Sequence, residues 1–268
     1  MAADMLDFEI LICEDNMVIL YLLGALGIIL GAYILLLILC SLLVNTKREY
    51  GRDSKFYRWL LNSATAAMIK LLRIRVHITG MEKLPQGQLV LFVGNHISNF
   101  DPILSWYAFR KWKLAFVSKP ENFKIPFFGR IIRKCCFMPI DRENPRNAIV
   151  TINRAAKLLK KQAVSIGIYP EGTRSKSGEL LPFHNGVFKI AQKANAPIAV
   201  LSVNGTEHIA KNIPFRKTDV YLDVLEVIPA DEVTVSKTEI LGQRIREELE
   251  QNRKLRKRER NEHDLHTV

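Results

Sequence analysis

No Gly-x-Ser-x-Gly turn occurs in this chain, which excludes the hydrolases that set a serine nucleophile on such an elbow. Cysteine is scarce. Cys13, Cys40, Cys135 and Cys136 stand in neither a disulfide framework nor a zinc-ligand spacing, so no metal site is expected. The adjacent pair Cys135-Cys136 reads as two small core residues on opposite faces of an apolar strand. Gly167 and Gly172 have the spacing of a phosphate-binding loop, but Thr173-Arg174 stands where that loop needs Lys followed by Ser or Thr, and a nucleotide-binding reading falls away. Positive charge is missing from one end only. The first 44 residues hold five acids (Asp4, Asp7, Glu9, Glu14, Asp15) and no Lys or Arg, so the formal +12 of the 268-residue chain becomes +17 (12 plus those 5) for the rest. A body that basic faces an anionic partner, and on charge alone anionic lipid, an acidic carrier protein and nucleic acid all qualify.

Residues 18–44 carry no charge at all. As a helix rising about 1.5 Å per residue they reach about 40 Å, beyond the roughly 30 Å of a bilayer's hydrocarbon layer. A membrane segment is expected over 18–45, behind an acidic tail at 1–17. A signal peptide fits less well, because no basic region precedes the stretch and no small-residue cleavage site follows it. Acids precede the stretch, while Lys47, Arg48, Arg52, Lys55 and Arg58 follow it. By the positive-inside rule the body then lies on the cytoplasmic side, with a helix lying shallowly in the membrane as the alternative. Residues 46–75 come next as a basic amphipathic helix, with Phe56, Trp59, Leu60, Ala67, Leu71 and Ile74 at three- and four-residue spacing. Its aromatic and basic mix suits a membrane interface, and an apolar stripe packed on the core is the competing reading.

From residue 76 to 250 strands alternate with helices. Apolar runs at Arg75–Thr79, Leu89–Val93, Leu114–Val117, Cys135–Ile140, Val164–Tyr169, Ile198–Val203 and Asp219–Val227 predict strands of a mixed sheet flanked by helices, an α/β fold. The clearest helix spans Pro145–Gln162, capped by Asn144, with Ile149, Ile152, Ala156 and Leu159 inward and Arg146, Arg154, Lys157, Lys160 and Lys161 outward. That basic face is a solvated surface or a dock for an acidic carrier. Ser236 and Glu239 have the spacing of a capping box for a helix using Ile240, Ile245 and Leu249, and a charged tail at 251–268 is expected to fray. His77, His184, His208, His263 and His266 have no partner at a readable offset.

Leu89–Pro102 carries the chemistry. A strand buried on both faces stops at Gly94-Asn95, His96 follows in the loop, and Asp101 precedes Pro102 as a helix cap precedes a proline at the first helical position. A carboxylate on one imidazole nitrogen fixes the tautomer and leaves the other nitrogen to take a proton from a hydroxyl. With no serine elbow in the chain, that hydroxyl belongs to the substrate, and the reaction is a transfer without a covalent intermediate. Taken alone, the pair reads equally as a loop histidine and a helix cap.

Three later stretches complete a pattern: Ile140-Asp141-Arg142, Glu171-Gly172-Thr173-Arg174 and Ala196-Pro197-Ile198. With His96-x4-Asp101 in front, and with Lys119-Pro120-Glu121 and Pro126-Phe127-Phe128-Gly129 between, the set over residues 76–210 resembles the glycerolipid acyltransferases, specifically the 1-acylglycerol-3-phosphate acyltransferases. The fourth block departs from the pattern, with Ala199-Val200 where family members carry a second proline. The resemblance implies that His96 and Asp101 are catalytic, that Lys119, Arg142 and Arg174 bind a substrate phosphate, and that Glu171, Gly172 and Thr173 support substrate or oxyanion. It also implies a lysophosphatidate acceptor, a fatty thioester of coenzyme A or acyl carrier protein as donor, membrane lipid as surroundings, and neither cofactor nor nucleic acid. Glycerol 3-phosphate or another lysophospholipid is the rival acceptor. The rival of another class is a non-enzymatic basic scaffold tethered to membrane. For Arg142 and Arg174 the competing role is structural, as ion pairs with Asp141 or Glu171.

Overall fold

The computed structural model describes the backbone of residues 2–266 and the side chains of 17–259. The acids from Asp4 to Asp15, with Cys13, His263 and His266, have side chains outside the described residues. Two compact units divide the chain, Met1–Asn45 and Thr46–Val268.

The first unit is one helix, α1 (Ala2–Leu42). Its stretch Met17–Leu42 has a mean hydropathy of 2.8 and is long and apolar enough to cross a membrane. The acidic residues continue the same helix, with no break at residue 17.

The second unit runs α2 (Lys55–Leu71), β1 (Ile74–Thr79), β2 (Leu91–Gly94), α3 (Phe100–Ala108), β3 (Ala115–Ser118), α4 (Phe128–Lys134), β4 (Met138–Pro139), α5 (Pro145–Lys160), β5 (Ile166–Ile168), α6 (Lys189–Ala194), β6 (Ile198–Asn204), α7 (Ile209–Asn212), β7 (Thr218–Ile228), α8 (Ala230–Val235) and α9 (Thr238–His266). The seven strands form a mixed sheet in the order β1-β7-β6-β2-β5-β3-β4, in which only the β6–β7 pair is antiparallel. Five adjacent strands from β6 to β4 therefore end along one edge. The crossovers β2–α3–β3 and β5–α6–β6 travel in opposite directions across the sheet, so right-handed connections set α3 and α6 on opposite faces. Strand β6 is buried at every position, as a strand between two helical layers must be. Gly167 on β5 has a packing reason, since a Cβ there would come within 2.5 Å of the Phe116 ring.

Several local expectations are corrected by packing. Cys135 and Cys136 are both buried, but they form the turn after α4 and not a strand, Cys136 having φ +63°. Helix α2 ends before Ile74, which opens β1, and its inward stripe is Tyr57, Leu60, Leu61 and Thr65. Arg58 also turns inward. It holds Asp53 through Nε at 2.7 Å and Nη2 at 2.8 Å, donates to the carbonyls of Lys113 and Leu114, and lies 4.3 Å over the Trp106 ring. Phe56, Trp59 and Leu71 stay exposed, so packing and exposure divide this helix by face.

Asn144 caps α5 as expected, accepting from Arg146 N and Asn147 N. The inner face of α5 is Ala155, Ala156, Leu158 and Leu159, while Ile149 is exposed and Arg154 turns back to Glu49 and the Tyr50 carbonyl. Ser236 does not cap α9, because its hydroxyl donates to Glu232 O at the end of α8. Leu241, Ile245 and Leu249 are the buried row of α9, and Ile240 is exposed. The helix continues past 251 without a break, held there by Arg253 to Glu179 and Arg256 to Asp223.

Candidate active site

Strand β2 leads into the His96 loop past a tight crossing. A Cβ on Gly94 would lie 2.8 Å from Leu201 O, so only glycine lets the strand end this close to β6. Asn95 then ties the loop to β6, its amide donating to Val203 O and its carbonyl accepting from Val203 N, both at 2.8 Å. The backbone of His96 is clamped on both sides by the chain that leaves β5. His96 N donates to Glu171 Oε1 at 2.7 Å, and His96 O accepts from Ser175 N at 2.8 Å. Leu181 N donates to the other Glu171 oxygen at 2.9 Å. Burial pushes the Glu171 carboxyl above its ordinary range, against the lowering effect of the two amides.

Nδ1 of His96 faces Asp101 Oδ2 at 2.8 Å. A carboxylate offers only lone pairs, so Nδ1 carries the proton and Nε2 presents a free pair. Asp101 is fully buried, and the same Oδ2 accepts from Ile97 N at 2.7 Å and Ser98 N at 2.8 Å, while Oδ1 accepts the Thr206 hydroxyl. Asp101 is therefore not the helix cap that Pro102 suggested. Helix α3 starts at Phe100, and the carboxylate in its first turn reaches back over the loop. Four donors hold this charge without an ion-pair partner. The imidazole stacks on Tyr169 with centroids 4.4 Å apart and planes at 11°, and Tyr169 stacks in turn on Phe116. Burial, and then the Asp101 charge, pushes the Tyr169 phenol well above its usual range, so it stays neutral beside the dyad.

The remaining expected site residues distribute along the same strand ends. Lys119 follows β3, Arg142 follows β4, and Glu171 to Arg174 follow β5, on neighbouring parallel strands. This is the edge where α/β sheets form ligand crevices. Arg142 comes beside the Glu-Gly-Thr-Arg turn, its Cδ 3.9 Å from where a Cβ on Gly172 would sit. Its pKa is lowered by burial, with Glu121 acting in the other direction.

The structural pairings of these arginines do not form. Asp141 spends its carboxylate on Glu143 N, Asn144 N and the Asn147 amide, and Glu171 spends its own on the two amides above. Arg174 is exposed and lines a cavity of about 540 Å3 with Asn95, Ile97 and three bases of α9, a cavity that Lys119 and Arg142 do not line. Gly172 N donates to Tyr169 O, so that amide closes the turn and is not free for an oxyanion. Gly172 has φ +73°, and a Cβ there would meet the His184 ring at 3.1 Å, which accounts for glycine. Thr173 is exposed beside it.

Asn95, Tyr169 and Thr206 were not marked in the sequence. Each stands at or just beyond a strand end, which is the only signal that could have pointed to them. A small apolar pocket of about 60 Å3 opens against α3, lined by Pro102, Ile103 and Trp106 of that helix, Leu61 of α2, Phe116 and Phe137, and not by His96 or Asp101 themselves. Among the described residues no cluster of His, Cys, Asp and Glu is arranged to hold a metal.

Residues 75–204, which contain the dyad, Lys119, Arg142 and the Glu171–Arg174 turn but end short of Thr206, match the acyltransferase family. The chain carries an acyltransferase domain. Its relatives include the 1-acyl-sn-glycerol-3-phosphate acyltransferase of Borreliella burgdorferi, 29% identical over 178 residues that cover 66% of this chain and 70% of that one. The enzyme of the same name from Salmonella typhimurium is 31% identical over 144 residues, covering 54% and 57%. That from Cocos nucifera is 37% identical over 120 residues, covering 45% and 38%. The match thus spans well under half the length of the coconut relative. Among solved structures, the 1-acyl-sn-glycerophosphate acyltransferase PlsC of Thermotoga maritima superposes with a TM-score of 0.60 over 81% of this chain and 87% of that one. At 24% identity it shares the fold of the acyltransferase domain.

Proposed function

We propose that this acyltransferase domain transfers a fatty acyl group from a thioester to the sn-2 hydroxyl of 1-acylglycerol 3-phosphate, giving phosphatidate for phospholipid synthesis. The observation that carries the reading is the His96–Asp101 dyad, a partly exposed imidazole on a fully buried carboxylate at a strand edge. His96 Nε2 takes the proton of the acceptor hydroxyl, whose oxygen attacks the thioester carbonyl carbon. Asp101 stabilises the imidazolium that forms. As the tetrahedral intermediate collapses, the carbon–sulfur bond breaks and the thiolate receives the proton from Nε2. The products are the ester and a free thiol, so atoms and charge balance with no further reactant.

Lys119 and Arg142 hold the acceptor phosphate in this reading. Arg142 makes no direct ion pair among the described residues, although the Glu121 charge acts on it, and its planar fork matches phosphate oxygens. The apolar pocket beside α3, about 60 Å3 in volume, has room for only a few carbons of an acyl chain, and its walls offer dispersion contacts and little hydrogen bonding. Residues 18–45 anchor the enzyme in a membrane, with the basic segment at 46–75 and the catalytic body on the cytoplasmic side. The exposed Phe56 and Trp59 of α2 sit at that interface.

The test offers purified protein in detergent a panel of lysophosphatidate, glycerol 3-phosphate and other lysophospholipids with both thioester types, beside His96→Ala. Release of thiol with lysophosphatidate as the preferred acceptor is expected, and its loss in His96→Ala. Turnover by the alanine variant at a near-normal rate rules out the base, and no thioester consumption with any acceptor by folded protein rules out the enzyme.

A further inference from the structure

The connection from β6 to β7 leaves an aromatic side chain in water. It runs from Thr206, whose hydroxyl holds Asp101, through α7 to a turn at 213–217. Phe215 in that turn is 83% exposed, and Ile213 is exposed beside it. The turn is held in place by hydrogen bonds. Arg216 N donates to Asn212 O at 2.8 Å, the Asn212 amide donates to the Thr218 hydroxyl at 2.9 Å, and Arg73 Nη1 donates to Phe215 O at 2.8 Å. Its place is on the catalytic edge. Strand β7 starts three residues ahead of Tyr221, the partner of Asn204 at the end of β6, so at about 3.3 Å per residue the turn stands about 10 Å out from that end. Only β6 separates β7 from β2, the strand that leads to His96. Residues 66–75 and 209–217 together carry six Lys and Arg and no Asp or Glu. Of these, Lys70, Lys211, Arg216 and Lys217 are exposed and make no side-chain hydrogen bond or ion pair among the described residues. Leu71, two residues before Arg73, is also exposed. On α2, Trp59 and Leu71 fall about 60° to either side of Phe56 at 3.6 residues per turn, so one exposed apolar arc runs along that helix towards the turn.

We propose that the 213–217 turn is a second membrane contact, which inserts Phe215 into an anionic lipid surface and holds the catalytic edge against it. The inference rests on the membrane-bound reading above and concerns the body of the enzyme, not its anchor. Phe215 and Ile213 supply the apolar plug, and the unpaired bases around them match headgroups of opposite charge. A nucleic acid or an acidic protein would answer the bases but leave Leu71, Ile213 and Phe215 without an apolar partner. A lipid surface answers both, and it is continuous with the exposed arc of α2. Because the turn follows Thr206 in the chain, seating it sets the strand ends around the dyad at the lipid surface, where a lipid acceptor is found.

The test uses the full chain reconstituted in vesicles of phosphatidylglycerol and phosphatidylcholine whose acyl chains are brominated to quench tryptophan. Phe215→Trp puts a reporter in the turn. Val235→Trp is the control, since Val235 is 84% exposed and ends α8, which follows the opposite end of β7. The emission that Phe215→Trp adds to wild type is expected to fall about twofold or more with brominated chains, and that added by Val235→Trp to stay unchanged. Adding Arg216→Glu and Lys217→Glu to the reporter variant should remove at least about half of the quenching, because each base at an anionic surface is worth about fivefold in the contact equilibrium. No quenching of the Phe215→Trp emission overturns the proposal. Equal quenching in both reporters, or quenching that the charge reversal does not move, overturns it as well. The readout needs neither thioester nor acceptor, so it succeeds or fails apart from acyl transfer. Quenching of the wild-type emission, to which the exposed Trp59 contributes, with none of the Phe215→Trp emission keeps the α2 interface and removes the turn.

Discussion

Replacing Asp101 by Asn separates the charge of the dyad from its shape. The carboxylate oxygen Oδ2 accepts three N–H groups, from His96 Nδ1, Ile97 and Ser98, all within 2.8 Å, and Oδ1 accepts the Thr206 hydroxyl. An Asn side chain has one satisfactory orientation. Its carbonyl oxygen must face the three N–H groups, and its amide must face Thr206, whose hydroxyl can rotate to accept. The tautomer with Nδ1 protonated is therefore kept, and only the negative charge is lost. Each N–H···O bond weakens from the charge-assisted to the neutral class, about 1 kcal/mol apiece or about 3 kcal/mol in sum. Relief from holding a charge out of water offsets part of that, so the folded state should lose about 0–3 kcal/mol. The imidazolium of the transition state loses its counter-charge altogether. The expected fall in kcat is about 10²- to 10⁴-fold, or about 2.7–5.5 kcal/mol of barrier, with acceptor KM little changed. Asp101→Ala is the contrast, leaving three buried N–H groups unpaired at about 1–3 kcal/mol each, and should unfold far more readily. Thiol-release kinetics and thermal unfolding read the two effects apart. A kcat for Asp101→Asn within about threefold of wild type refutes the role given to the charge.

Arg142→Ala should raise acceptor KM about tenfold while moving the melting temperature by less than about 4 °C, because Glu121 acts on that guanidinium only at a distance and no carboxylate is in direct ion pair with it; an unchanged KM, or a collapse in melting temperature, contradicts the phosphate role. Arg174→Ala should be equally harmless to stability, measured in the same unfolding series. Glu171 holds its proton more tightly folded than unfolded, since burial raises its pKa. Its contribution to stability is therefore full below the ordinary glutamate range and is lost as pH rises through the raised value. Glu171→Gln cannot ionise, so the gap in melting temperature between wild type and variant should close with rising pH, and parallel curves refute the shift. Deleting residues 1–45 should leave protein that still binds anionic vesicles through its basic body, with binding weakened by salt. Salt-insensitive binding, or none, counts against an electrostatic interface.

What could be read locally was read with little loss. All seven strands were legible from their apolar runs, and the cap of α5 from Asn144-Pro145, because burial on two faces and an N-terminal turn each leave a short-range pattern. His96 and Asp101 are five residues apart and meet through a loop too short to take them elsewhere. Where two patterns overlapped, the wrong one could be chosen. Asp101 before Pro102 has the order of a cap, but its carboxylate serves the loop behind it because three N–H groups there had no other acceptor. Ile149 and Ile240 keep helical periodicity yet face solvent, since which arc of a helix is covered depends on the neighbour and not on the helix.

Partnership across the sheet belonged to the tertiary structure alone. Glu171 reaches His96 across 75 residues and Thr206 reaches Asp101 across 105. Neither contact has a sequence period, because it exists only once β2 lies between β5 and β6. The same holds for Arg253 and Arg256, a charged tail by composition that becomes one wall of a cavity when α9 packs beside β6. Sequence determined which residue types stand at the ends of strands, since that is a property of short runs. The strand order determined which of those ends are neighbours, and through them where each charge finds its partner.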